Sequence, residues 1–148
     1  RIKAAGISYY PSGNIVALTP SYVFSDPAYF RDQYDVFVDV SEKMLSGIKG
    51  NSNLSDVEKA LLLHDRLIEY CEYDYESYLS GSVPDSSHSA YGVFCLGTAV
   101  CQGYAYAYDY LLEQVGIEAE YCPSDALNHA WNIVYIDKKH WRSVDISS

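Results

Sequence analysis

One stretch constrains this chain more than any other: Gly97-Thr98-Ala99-Val100-Cys101-Gln102-Gly103-Tyr104-Ala105. From Cys101 to Val115 the pattern is helical, with Tyr104, Tyr108, Leu111, Leu112 and Val115 along one side and Gly116 placed to end it. Gly103, Ala105 and Ala107 are small, so neighbouring elements can approach the first turns closely, and a helix of this kind belongs at the centre of a domain. Cys101 then stands at a helix start. There it faces unpaired backbone N–H groups and the positive end of the helix dipole, both of which favour the thiolate.

The bulk properties set the frame for that helix. A chain of 148 residues that is 49% hydrophobic and 20% charged suits a single globular domain with a real core. A net charge of −10 argues against a nucleic-acid partner, because phosphate recognition depends on Lys and Arg. No apolar run approaches the roughly 20 residues that span a bilayer. The chain opens on Arg1 without a signal-peptide pattern, as expected of a mature product or excised fragment. Sixteen tyrosines with few lysines fit a secreted or cell-surface protein. Nothing in the sequence marks an oligomeric state. The cysteines are Cys71, Cys95, Cys101 and Cys122; with Cys101 free, at most one disulfide can form among the other three. No Cys-x-x-Cys occurs, which argues against structural zinc and leaves only a scattered set of Cys95, Cys101, Cys122 and His129 as an alternative metal grouping.

Residues 5–18 read as two strands around Pro11-Ser12-Gly13-Asn14. A helix is expected from Asp26 to Gly50, with Phe30, Tyr34, Phe37, Val40 (or Ser41), Met44 and Ile48 recurring every three or four residues. Ser55-Asp56-Val57-Glu58 is a capping box, and Val57, Leu61, His64, Ile68 and Cys71 form the expected apolar stripe of the next helix, widened by Ala60, Leu63 and Leu67. His64 reads as an interior histidine and Cys71 as a small buried hydrophobe. Residues 72–97 read as irregular, one wall of a cleft, with His88 at the surface. Strands are expected over Ile117–Cys122, His129–Ile136 and His140–Ile146. The division read here is an accessory hairpin and helix over 1–54 and a core over 55–148.

The last two strands bring a base and a carboxylate to Cys101. If the hairpin turns about Asp137, His129 and Asp145 lie directly opposite each other, on one face, with Trp131 and Trp141 placed to shield them. A thiol, an imidazole and a carboxylate in this order are the parts of a nucleophile, its base and the group that orients the base. The chemistry is attack of Cys101 on an amide carbonyl, a tetrahedral oxyanion, then a thioester released to water or to an amine. The backbone N–H of Cys101 is one candidate oxyanion donor; Gln102 and the loop before Gly97 are candidates for the second.

Val100-Cys101-Gln102-Gly103-Tyr104-Ala105, His129-Ala130-Trp131-Asn132 and Val144-Asp145 resemble the three motifs of the transglutaminase-like superfamily in its microbial branch. Leu63-His64-Asp65-Arg66-Leu67, Tyr73-Asp74 and Ala90-Tyr91-Gly92-Val93-Phe94 resemble its pre-catalytic helix and loop, so the likeness covers roughly residues 55–146. The resemblance implies a papain-like α+β fold with the cysteine helix on an antiparallel sheet, and Cys101, His129 and Asp145 as the triad. It implies no cofactor and no metal; calcium dependence belongs to the animal branch, and no calcium loop occurs here. Its members include proteases, transamidases, amidases and inactive scaffolds. The expected function is therefore a thiol amide hydrolase or acyltransferase acting on peptide or protein, cell-wall peptide included. The alternative is an inactive binding or structural module of a larger cell-surface protein.

Overall fold

The computed structural model describes residues 2–9, 15–22, 26–137 and 139–147. In chain order its elements are β1 (Ile2–Tyr9), β2 (Ile15–Tyr22), α1 (Pro27–Leu45), α2 (Asp56–Tyr70), β3 (Glu72–Tyr73), α3 (Tyr75–Ser80), a single π-turn (Gly92–Leu96), β4 (Thr98–Ala99), α4 (Cys101–Gln114), β5 (Ala119–Ser124), β6 (His129–Ile136) and β7 (His140–Val144). They fall into two units, Arg1–Asp35 and Val36–Ser148. In the first, β1 and β2 pair antiparallel, with Gly6 opposite Thr19 and Ile7 opposite Leu18. The turn expected at Pro11–Asn14 lies outside the described residues.

In the second unit the core gathers on α4, which buries Tyr104, Ala107, Tyr108, Leu111 and Leu112. Met44, Leu45 and Ile48 enter it from the end of α1 and beyond, and Val134 from β6. Each fully buried Leu or Ile adds about 1.5–3 kcal/mol of hydrophobic stabilisation. Carbonyls at a helix end need partners from outside the helix, and Arg66 serves here: its Nη1 donates to Met44 O in the last turn of α1 at 2.6 Å and to Ser46 O just past it at 2.8 Å. Helix α2 opens on the capping box read from the sequence, with Ser55 N donating to Glu58 Oε2 at 2.8 Å and Glu58 N to Ser55 Oγ at 3.3 Å.

Two expectations need correction here. The buried stripe of α2 is Ala60, Leu63, Leu67 and the capping residue Cys71, whereas Val57, Leu61 and Ile68 are exposed. The helix is rotated toward α4, and this orientation lets the Tyr108 hydroxyl donate to Ala60 O at 3.0 Å inside the core. Periodicity alone could not choose between two overlapping apolar stripes. Residues 72–97 are not irregular either. Glu72 and Tyr73 pair in parallel with Thr98 and Ala99, Asp74 caps α3, and Gly81 (φ 69°) and Gly97 (φ 67°) end α3 and the π-turn in the left-handed conformation. Two-residue strands carry no readable period.

Strands β5, β6 and β7 form one antiparallel sheet in that order. Ala130, Asn132 and Val134 are buried on β6. Helix α4 packs on β5 and β6, and Asn132 Nδ2 donates to Ala105 O at 3.1 Å, tying strand to helix. The outcome is an α+β core with the cysteine helix laid on an antiparallel sheet.

Candidate active site

Three features fix Cys101. Val100 before it is extended (φ −97°, ψ 177°) and has no side-chain acceptor, so no cap occupies the first amides of α4. The β3–β4 bridge holds Thr98 and Ala99, and Val100 N donates to Ser87 O at 2.9 Å. Gly103 lets the 85–89 loop lie against the first turn: a Cβ there would meet Ser87 O at 2.5 Å and Ser89 O at 3.1 Å. Gly103, one of the small residues that marked the helix as central, therefore serves a specific close approach.

His129 begins β6, and its Nε2 lies 2.6 Å from Asp145 Oδ2. An ionised carboxylate only accepts, so Nε2 carries the proton and Nδ1 is left as the basic nitrogen. Asp145 is itself held: its Oδ1 accepts from Ser147 N and Ser147 Oγ, both at 3.1 Å. The two side chains are roughly two-thirds buried.

The hairpin differs from the expected one. Ile136 pairs with His140, Tyr135 with Trp141 and Asn132 with Val144, which centres the ladder one residue later than Asp137. Asp145 follows the last paired residue of β7, diagonal to His129 rather than directly opposite. The offset along the partner strand is two residues, an even number, so the carboxylate keeps its face and reaches the imidazole. Trp131 stacks beside His129, with ring centroids 6.1 Å apart. Trp141 does not shield the pair: it packs on Tyr135, centroids 4.8 Å apart, and is exposed.

Cys101 and His129 line one cleft of about 400 Å³, with His88, Gln102, Tyr121, Pro123 and other residues of the β5–β6 connection. His88 thus belongs to the cleft and not, as expected, to the general surface. Gln102 also borders it and donates to the Tyr106 hydroxyl at 3.5 Å. His64 lies elsewhere, beside Asp65 (Nδ1 to Oδ1 2.9 Å), and lines a separate cleft of about 310 Å³ with Val57, Tyr108 and His140.

The sequence reading missed Tyr73. The β3–β4 bridge sets it beside Cys101, whose thiol and backbone amide act on its phenol. Burial, first, and the neighbouring thiol push the phenol up to about 12, so it keeps its proton over the working pH range of most enzymes. Its signal in the sequence was present but unused: Tyr73 stands in the Tyr73-Asp74 pair, and the β3–β4 bridge that carries it to Cys101 is only two residues long. In the loop named as a second donor candidate, Gly97 N already donates to Val93 O at 3.1 Å, and Gly97 O accepts from Glu72 N at 2.9 Å. The other thiols are distinct. Burial raises Cys71 and Cys95 each to about 11, and none of the four cysteines forms a disulfide with another.

The profile of the transglutaminase-like superfamily matches residues 42–146. A crystal structure of a TGase superposes with a TM-score of 0.64 at 16% identity, over 99% of this chain and 44% of that one. A candidate cysteine protease from Cytophaga hutchinsonii superposes with a TM-score of 0.54 at 17% identity, over 99% of this chain and 62% of that one. This chain thus spans less than two-thirds of either neighbour, and at such identities the likeness concerns the fold. No curated protein matches the sequence significantly. None of the described helices is long and apolar enough to cross a membrane. With its profile match running from the end of α1 through the strand that leads to Asp145, the chain belongs to the transglutaminase-like superfamily.

Proposed function

We propose that the protein is a cysteine-dependent acyl-transfer enzyme in which Cys101 is the nucleophile, His129 the base and Asp145 the orienting carboxylate. The observation that carries this reading is the 2.6 Å contact of His129 Nε2 with Asp145 Oδ2, on a ring that shares a cleft with a helix-start cysteine. Nδ1 takes the thiol proton as sulfur attacks an amide carbonyl of a peptide or protein. The tetrahedral oxyanion forms beside the Cys101 N–H and the Tyr73 hydroxyl, which act as its two donors. Collapse expels the amine, protonated from His129, and leaves a thioester.

Water is the default acceptor, because it is always present in an open cleft; an amine acceptor would give transamidation by the same steps. Secretion or surface display fits the tyrosine-rich, lysine-poor composition. The test is incubation of the protein with a peptide and amine library followed by mass spectrometry. Loss of ammonia, chain cleavage or amine incorporation, absent in Cys101→Ala, is the expected result. An identical product pattern from Cys101→Ala would refute the assignment of the nucleophile.

A further inference from the structure

The cleft contains a second imidazole with no task in the steps above. His88 lines it together with Cys101 and His129, yet its Nδ1 is buried without a hydrogen-bond partner. Buried polar atoms are paired in the great majority of cases, so each exception calls for an explanation. A histidine kept to stabilise its loop would bond to that loop, and His88 does not.

The loop is fixed by other groups. Ser87 Oγ donates to Asp74 Oδ2 at 2.7 Å, Ser89 Oγ donates to Ser86 O at 2.7 Å, and Ser87 N donates to Pro84 O at 3.0 Å. Val100 N donates to Ser87 O at 2.9 Å. This last bond joins the residues immediately before His88 and Cys101, so imidazole and thiol enter the cleft from adjacent, mutually anchored positions. Gly103 admits the loop and its backbone closes on both sides of His88. None of these bonds involves Nδ1 of the His88 ring.

Its tautomer follows from the burial of one nitrogen. A proton on Nδ1 would be a buried N–H with no acceptor, a costlier defect than an unused acceptor lone pair. The proton therefore sits on Nε2, which is not among the buried unpartnered atoms. The cleft wall at His88 offers an N–H donor. Among the described residues no Lys or Arg lines the cleft and Asp125 does, so a carboxylate is the wrong partner and a neutral carbonyl the right one.

We infer that His88 is a substrate-binding residue whose Nε2–H donates to an amide carbonyl of the acyl-donor peptide, holding that peptide against the cysteine helix. The inference deepens the acyl-transfer reading and rests on it. The test separates the two by measuring alkylation of Cys101 with two probes, a blocked dipeptide chloromethyl ketone and chloroacetamide, each followed by mass spectrometry of the Cys101 peptide.

The ratio of the two rate constants reports peptide recognition, and the chloroacetamide rate alone reports thiol reactivity. His88→Phe, which keeps a ring and loses the donor, is expected to lower the ratio about five- to twenty-fold, the worth of one hydrogen bond in a closed site. The chloroacetamide rate should stay within about twofold, and His88→Gln, whose amide nitrogen approximates Nε2, should recover the ratio to within about threefold. If His88→Phe does not fold, His88→Asn, with its donor set back toward Nδ1, should show the same loss. An unchanged ratio, a parallel fall in both rates, or a wild-type protein with no preference for the peptide probe would overturn the inference. Failure of both probes to modify Cys101 in the wild type would instead overturn the acyl-transfer reading.

Discussion

Replacing Gly103 by Ala sets two effects of opposite sign against each other. Alanine favours a helix over glycine by about 1 kcal/mol in an interior turn, and by less in the first turn, so propensity alone gives a slightly more stable protein. At Gly103, however, the new methyl would lie 2.5 Å from Ser87 O, 2.8 Å from the Ala99 Cβ and 3.1 Å from Ser89 O. Two of these are backbone atoms and the third is fixed by the β3–β4 bridge, so none is the free end of a flexible side chain. Overpacking of this kind costs about 1–3 kcal/mol. The clash wins, and Gly103→Ala should lose about 1–2 kcal/mol net, lowering the melting temperature by about 3–8 °C. Urea denaturation followed by circular dichroism, alongside thermal melts, measures this directly. The displaced element is the 85–89 loop, so preference for the peptide probe over chloroacetamide should fall as well. A variant as stable as the wild type, or more so, would refute the claim that this loop is clamped to the start of α4.

Four further outcomes are expected. Asp145→Asn keeps the shape of the carboxylate but can present an N–H to His129 Nε2, and should lower kcat about 10²–10⁴-fold with little change in KM; a loss under threefold would remove Asp145 from the triad. Tyr73→Phe removes one oxyanion donor and should lower kcat about 10–10³-fold while leaving alkylation of Cys101 by chloroacetamide nearly unchanged; unaltered turnover would count against the phenol. At pH 8 a thiol raised to about 11 is only about one part in a thousand thiolate, so Cys71 and Cys95 should resist iodoacetamide while Cys101 reacts, as peptide mapping will show. In the folded protein Cys71 and Tyr73 favour their protonated forms, so their contribution to stability is whole below about pH 9 and is lost as pH rises through about 11 to 12. The urea midpoint should therefore fall between pH 9 and 12; a flat midpoint would contradict the burial of these groups.

The sequence was most readable where a long period or a local chemical signal coincided with the fold. The capping box at Ser55 and Glu58, helix α4 with its run of small residues, and strand β6 are of this kind. The even offset of the last hairpin was harder, because the pairing depends on where the chain reverses and not on the strands themselves. His129 and Asp145 meet all the same, since a two-residue shift preserves the face. Tyr73 and His88 escaped for a different reason. Each is brought to Cys101 by contacts too short to leave a pattern: a two-residue parallel bridge for Tyr73, and for His88 one main-chain hydrogen bond between Ser87 and Val100. The apolar stripe of α2 shows the converse case. Its eight apolar or half-apolar positions wrap most of the helix, and the side that is buried is the one facing the core, where Tyr108 of α4 bonds to Ala60 O.

A covalent intermediate is where the chemistry proposed for this site stands or falls. An activated ester of a blocked peptide, mixed with the protein and quenched in acid within seconds, should leave the acyl group on the tryptic peptide that contains Cys101, detected by its added mass. His129→Ala should slow its formation, and Cys101→Ala should abolish it. A protein that never carries the acyl group, or carries it equally without the thiol of residue 101, would contradict the account.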